Sequence, residues 1–189
     1  VYGFLEKDKI STAAAACIYT GIIHDTNVFK NSNTTAKTME AAGDMMSRGI
    51  PFSRIIDESF YRKTYVQNQI LGRALLESVT FREGKCIFSV VRRKDMEFYG
   101  VESSDLDGIV DQMRVTEGVE VAIFLHEMEN HVYKVSMRSN NYVDVSKVAA
   151  YFGGGGHVRA AGCTMSGSVH DVINNLSGHI DRQMKEYEA

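Results

Sequence analysis

The chain has 189 residues, 44% of them hydrophobic, and a formal net charge of −3. That length fits one large or two small domains with a real core. The near-neutral charge does not indicate a broad basic surface for duplex DNA, so a nucleic-acid ligand is expected to be gripped locally, at few phosphates. The three cysteines, Cys17, Cys86 and Cys163, are far apart and form no Cys-x-x-Cys pair. That spacing argues against a zinc site or a disulfide framework and for a reducing, cytoplasmic setting. No apolar run is long enough to span a membrane, and no signal peptide opens the chain. The sequence begins at Val1 without a methionine and runs straight into ordered-looking sequence, the pattern of a fragment.

In chain order, Ile10 to Tyr19 contains four consecutive alanines and is predicted helical, with Ser11 or Thr12 as its cap. The stretch from Tyr19 to Phe29 reads as a short apolar strand ending in polar turn residues, with Asp25 at the turn. After a turn at Asn31 to Thr35, a helix carries Met39, Ala42, Met45 and Met46 at helical spacing, and Gly49 and Pro51 mark its end. Phe52 to Phe60 suits a further short helix.

Tyr65 to Ser78 is helical, with a stripe of Ile70, Leu71, Ala74 and Leu75. Val79 to Phe81 and Cys86 to Val91 read as strands joined at Glu83-Gly84. Asp105 to Val115 is an amphipathic helix, Val119 to Leu125 a buried strand and His131 to Met137 its hairpin partner. Asp144 to Phe152 is a helix with an acidic start, and Val169 to Tyr187 is an amphipathic terminal helix. The alternation predicts an α/β or mixed α+β architecture in three parts, with a sheet in each domain. These parts are a first domain over residues 1–64, a connecting helix over 65–78 and a second domain over 79–189.

The stretch with most chemical content is Gly153-Gly154-Gly155-Gly156-His157. Four glycines leave a backbone that a ligand can approach closely, and exposed N–H groups beside a histidine and an arginine can hold a phosphate. A flexible linker is the plainer reading. His157 can bond a phosphate oxygen or stack on a base, or it can simply cap the loop. Arg138 and Ser139, after the predicted strand, offer a guanidinium fork and a hydroxyl to a phosphate, or form a solvated hairpin edge. Arg159 and Lys147 can assist as further cations, or either can be a plain surface charge. Asp25 can bind Mg²⁺ or Mn²⁺ through oxygen, or it can close an Asx turn. His24 beside it would point to the opposite side of a strand. His126, His131, His170 and His179 show no ligand spacing and are read as surface residues. The methionines read as core filler.

Two motifs now stand in one order. Tyr19-Thr20-Gly21-Ile22-Ile23-His24-Asp25-Thr26, with Phe29 and Asn33-Thr34-Thr35, resembles the fourth metal-site motif of the DHH phosphoesterase superfamily. Val135-Ser136-Met137-Arg138-Ser139, Asp144-Val145, the glycine-histidine run and Ala160-Ala161-Gly162 resemble its C-terminal DHH-associated domain. The resemblance is strongest to the oligoribonuclease and pAp-phosphatase branch and covers nearly the whole chain.

It implies the remnant of a parallel-sheet DHH domain, joined by a helix to a mixed-sheet α/β substrate-binding domain. Two Mn²⁺ ions, with Mg²⁺ as the substitute, activate a water that attacks a phosphoester, and Asp25 is a catalytic metal ligand. Arg138, Ser139, the amides of Gly153, Gly154, Gly155 and Gly156, and His157 hold the end of a short RNA or a nucleotide. A homodimer is the candidate assembly.

The superfamily's Asp-x-Asp and Asp-His-His motifs, which supply most metal ligands, lie upstream of the region this sequence resembles; no Asp-His-His occurs in it, and Asn27 stands where a glycine is usual. The chain by itself is therefore expected to be inactive. The rival readings are a nucleic-acid-binding module, like the glycine-rich C-terminal domain of alanyl-tRNA synthetases, and an exopolyphosphatase-like hydrolase.

Overall fold

The computed structural model describes residues 10–188. The expectation attached to the first nine residues falls outside them. The fold divides at Lys63/Thr64 into two compact units.

In the first unit, helix α1 spans Thr12–Asp25, α2 Ala36–Met46 and α3 Phe52–Ile56, with one π turn at Asp57–Tyr61. Ser11 caps α1 by accepting from the Ala14 N–H, and Thr35 and Thr38 form a capping box on α2. The strand read over Tyr19 to Asp25 is a continuation of α1. Ile22 and Ile23 favour strands locally, but Ala15, Tyr19 and Ile23 fall at i, i+4, i+8 and are all fully buried. Completing that stripe outweighs a propensity difference of a few tenths of a kcal/mol. Tertiary burial therefore decides the element. The described residues of this unit contain only helices, so the sheet expected in the first domain is not among them.

The second unit holds α4 (Tyr65–Leu76), β1 (Val79–Phe81), β2 (Cys86–Val91), α5 (Arg93–Tyr99), a 3₁₀ turn (Ser103–Leu106), α6 (Ile109–Arg114), β3 (Val121–Glu129), β4 (Val132–Ser139), α7 (Val145–Tyr151), β5 (Gly155–His157), β6 (Ala160–Ser166) and α8 (Val169–Glu188). Its sheet has the order β1-β2-β3-β4-β6-β5, with β2 and β3 parallel and the other pairs antiparallel. This is the mixed α/β class that the pattern predicted.

One face of the sheet packs Val121, Ile123, Leu125, Val135, Met137 and Cys163 with residues of α7 and α8, including Val148, Leu176 and Ile180. The other face buries Ile87, Val91, Ala122 and Phe124 under α4 and α6, through Ile70, Ala74, Ile109, Val110 and Met113. On that second face the outward residues of β4 and β6 are not part of the core, and there the sheet lies open.

His126 departs from its surface assignment. It ends the buried run of β3 and is 4% exposed, with its Nε2 3.3 Å from the Ser103 hydroxyl. Burial pushes its pKa below the ordinary value, and the Lys134 ammonium adds to the effect. Burial also pushes the Cys86 thiol up to about 12 and raises Cys163, whereas Cys17 is exposed. Helix α5, which has no clear apolar period, escaped the sequence reading. The Arg92 N–H bonds the Asp95 carboxylate at its start, and Gly100 stops it in the left-handed region.

Candidate functional site

The open part of the sheet gathers Arg138 and part of the glycine run. Along β4, Tyr133, Val135, Met137 and Ser139 are buried, so Lys134, Ser136 and Arg138 share the opposite face. The registers extend this face across three strands. Arg138 lies opposite Ala160, which lies opposite His157. Ser136 lies opposite Gly162, which lies opposite Gly155, and Lys134 lies opposite Thr164. Two strand spacings put the Cα atoms of Arg138 and His157 about 10 Å apart, on one side of the sheet. The result is an open groove of about 630 Å³ with a floor of Ala160 and Gly162, lined by Lys134, Ser136, Arg138, Thr164, Phe152 and Gly153 to Gly155. Ser139, Gly156 and His157 are outside its lining. A larger cavity of about 850 Å³ lies in the first unit, among Phe52, Arg54, Glu58, Tyr61 and Arg62, and gathers none of these residues.

Arg138 is held from the side. Its Nε donates to Asp111 Oδ1 (2.9 Å), its Nη2 to Asp111 Oδ2 (3.4 Å) and its Nη1 to the Met137 carbonyl (3.1 Å). Three of five donors are engaged, which leaves one N–H on each terminal nitrogen for an anion. Ser139 sits differently from the expectation. Strand parity turns it inward, it is 2% exposed, and its hydroxyl donates to the Val143 carbonyl (2.6 Å). It closes the loop before α7 and does not reach the groove.

Three further groups fasten the same loop. The buried Glu120 carboxylate accepts the N–H groups of Asn141, Tyr142 and Val143, and Arg159 donates to the carbonyls of Asn141 and Val143. Asp144 caps α7, accepting from the amides of Ser146 and Lys147 and from the Ser146 hydroxyl. Burial alone would raise its pKa, but those hydrogen bonds outweigh it and hold the carboxyl below the ordinary value.

The glycine run has a second explanation besides ligand access. The Gly153 N–H donates to Ala150 (3.2 Å) and the Gly154 N–H to Ala149 (3.0 Å), with Gly153 at φ +71°. This is a Schellman stop on α7, and it consumes two of the amides expected to cradle a phosphate. A Cβ on Gly154 would sit 2.5 Å from Cys163 Cβ and closer still to the Gly162 carbonyl, and one on Gly156 would sit 2.5 Å from the Ala160 carbonyl. Strand β6 thus fills the space at these two positions. Gly155 alone combines open space at Cβ with an ordinary φ and a place in the groove. Phe152, which also lines the groove, rests edge-on against His179 (5.5 Å between ring centres), and His179 packs on Tyr151 at 4.0 Å.

In the first unit, Asp25 is the last residue of α1 and is exposed. Its Oδ2 accepts from Asn33 Nδ2 (2.9 Å), and its carbonyl accepts from Asn31 and Asn33. Asn27, Val28 and Phe29 follow at φ +47°, +54° and +64°. Three left-handed non-glycine residues in a row are strained, Val28 most of all because of its branched Cβ. The buried Thr26 hydroxyl stabilises the turn by donating to Ile22 (2.6 Å) and accepting from the Phe29 N–H (3.1 Å). The left-handed conformation also explains why Asn27 stands in for glycine, since Asn tolerates it best among residues with a Cβ. Among the described residues no group of three or more His, Cys, Asp or Glu side chains gathers around a point. Asp25 offers one oxygen ligand, and the described residues do not fit a two-metal centre by themselves.

With this geometry in place, the class can be stated. The DHHA1 domain model matches residues 83–186, more than half of the chain, and the chain belongs to that family. Its relatives give the branch. It is 34% identical over 154 residues to the bifunctional oligoribonuclease and PAP phosphatase NrnA of Thermus thermophilus, covering 81% of this chain and 45% of the relative. It is 26% identical over 180 residues to the protein of the same name from Bacillus subtilis, covering 95% and 56%. The resemblance to the oligoribonuclease and pAp-phosphatase branch of the DHH proteins, drawn above from motifs, is thereby shown. The chain spans about half the length of these relatives. The crystal structure of an exopolyphosphatase-related protein from Bacteroides fragilis superposes with a TM-score of 0.88 at 20% identity, over 97% of this chain and 54% of that one. At that identity the likeness shows the fold alone. No helix among the described residues is long and apolar enough to cross a membrane.

Proposed function

We propose that this chain is the substrate-binding portion of a manganese-dependent phosphoesterase that acts on short oligoribonucleotides, on 3′-phosphoadenosine 5′-phosphate (pAp), or on both. The observation that carries the reading is the groove on the open face of β4 and β6. There an arginine fork, fixed by Asp111, stands over a floor of small residues, Ala160 and Gly162, in a chain related to proteins named for these two activities. The terminal nitrogens of Arg138 receive the end phosphate of the ligand. Gly155 lets the ligand backbone lie close to the sheet, and His157 meets it from the β5 edge. Ser139, Gly153, Gly154 and Gly156 support this site by holding loop, helix end and strand in place. Asp25 is one metal ligand. A lone carboxylate holds no pair of ions, so the described residues carry out no metal-dependent step on their own.

Two measurements on the chain as it stands test the reading. Calorimetric titration with pAp and with a 5′-phosphorylated diribonucleotide is expected to give binding that Arg138→Ala abolishes. Incubation of either ligand with Mn²⁺ and the chain is expected to give no turnover. Robust hydrolysis, or binding indifferent to Arg138, contradicts it.

A further inference from the structure

The polar groups around the groove fall into two sets. Ser139, Asn140 and Glu120 are taken up by hydrogen bonds within the protein, and Arg159 spends two of its five donors on the carbonyls of Asn141 and Val143. Lys134, Ser136 and Thr164 line the groove, and among the described residues their side chains make neither a hydrogen bond nor a salt bridge. They are also aligned. Lys134 and Ser136 share the outward face of β4 with Arg138, and Thr164 stands directly across from Lys134 on β6. Four residues of strand put Lys134 about 13 Å from Arg138, measured between Cα atoms. Between them the floor is Gly162, where an added Cβ would sit 2.7 Å from the Val135 carbonyl. The row therefore offers an ammonium, two hydroxyls and a guanidinium edge, all unclaimed, along a track without obstructing side chains.

We infer that Lys134, Ser136 and Thr164 form a second phosphate subsite, which takes an internal phosphate of a single-stranded oligoribonucleotide whose end phosphate lies at Arg138. The inference rests on the reading of Arg138 given above and extends it from one phosphate to a chain. A nucleoside bisphosphate carries both phosphates on one ribose and stays at the Arg138 end. An oligonucleotide runs along β4 toward Lys134. The subsite thus favours oligonucleotides over pAp. An ammonium and hydroxyls suit it to a phosphate without reading the base.

Fluorescence anisotropy with the whole chain tests this, using labelled 5′-phosphorylated triribonucleotide, pAp and tripolyphosphate as ligands at several salt concentrations. Lys134→Ala is expected to weaken the triribonucleotide roughly three- to tenfold, the worth of one exposed charge-assisted contact. It is expected to leave pAp within about twofold and to lower the slope of log K against log salt by about 0.7. Lys134→Arg restores affinity, and Thr164→Val weakens the triribonucleotide in the same selective way. Equal loss for triribonucleotide and pAp, or no loss for either, overturns the subsite and leaves the Arg138 reading standing. Lys134-dependent binding of tripolyphosphate but not of triribonucleotide overturns the nucleic-acid assignment. If the unmodified chain binds neither nucleotide, the Arg138 reading fails and the subsite fails with it.

Discussion

Replacing single glycines of the run separates the two demands on it, because their surroundings differ so sharply. In Gly154→Ala the new Cβ lies 2.5 Å from Cys163 Cβ, with the Gly162 carbonyl closer still, against about 3.5 Å for an ordinary contact. Backbone on one side and a buried side chain on the other cannot swing away, so β5 must move off β6 by about 1 Å. Overpacking of this kind costs about 1–3 kcal/mol, and weakening the short β5–β6 ladder adds about 1 kcal/mol for each hydrogen bond lost. Gly155→Ala meets no atom within 4 Å and has no left-handed φ. It is expected to be neutral or to stabilise by up to about 1 kcal/mol through the unfolded chain. If Gly155 is open because a ligand backbone lies against it, the same substitution lowers nucleotide affinity while stability is kept. Urea unfolding followed by circular dichroism, paired with nucleotide titration on each variant, reads both quantities. The reasoning is refuted if Gly155→Ala unfolds as readily as Gly154→Ala, or if Gly154→Ala stays within about 0.5 kcal/mol of the parent.

Three further outcomes follow from named contacts. Arg138→Lys keeps the charge but loses the fork, and Asp111→Ala frees the guanidinium to wander. Both are expected to weaken nucleotide binding roughly tenfold in calorimetry, and an unchanged affinity for Arg138→Lys would show that only charge matters. With an alkylating reagent under native conditions, Cys17 is expected to label and Cys86 and Cys163 to resist, because burial raises both thiols, Cys86 to about 12; mass mapping that finds Cys86 modified first would contradict the packing of β2. His126 titrates below its ordinary value in the folded chain, so the unfolded chain binds the proton more readily. Stability is then complete above about pH 6.5 and declines as the pH falls below it toward the folded value, and His126→Gln is expected to flatten that limb in urea midpoints taken from pH 8 to pH 5.

Much of this molecule is set by short-range rules that can be read directly from residues. Ser11, Thr35 and Asp144 announce helix starts because their side chains reach N–H groups two or three residues on. The stripe of α8 follows from its helical periodicity, and β3 from a short continuous apolar run rich in β-branched residues. Strand parity also carried a signal that the motif obscured. Arg138 and Ser139 are adjacent on β4, so only one of them can face the groove. His126 likewise continues the apolar run of β3, where burial was legible.

The remaining features depended on partners distant in sequence. Ile22 and Ile23 look like a strand until the stripe of α1 finds a core to fill. Asp111, 27 residues before Arg138, could be paired with it only once α6 lay beside β4. The glycine-histidine run shows the division most plainly. From residues alone it reads as a loop without side chains, kept bare for a ligand. In the fold, Gly153 ends a helix, Gly154 and Gly156 give way to β6, and only Gly155 is left bare toward the groove. The sequence determines where the backbone has no Cβ. Only tertiary packing decides what occupies that space, because the occupant arrives from another strand.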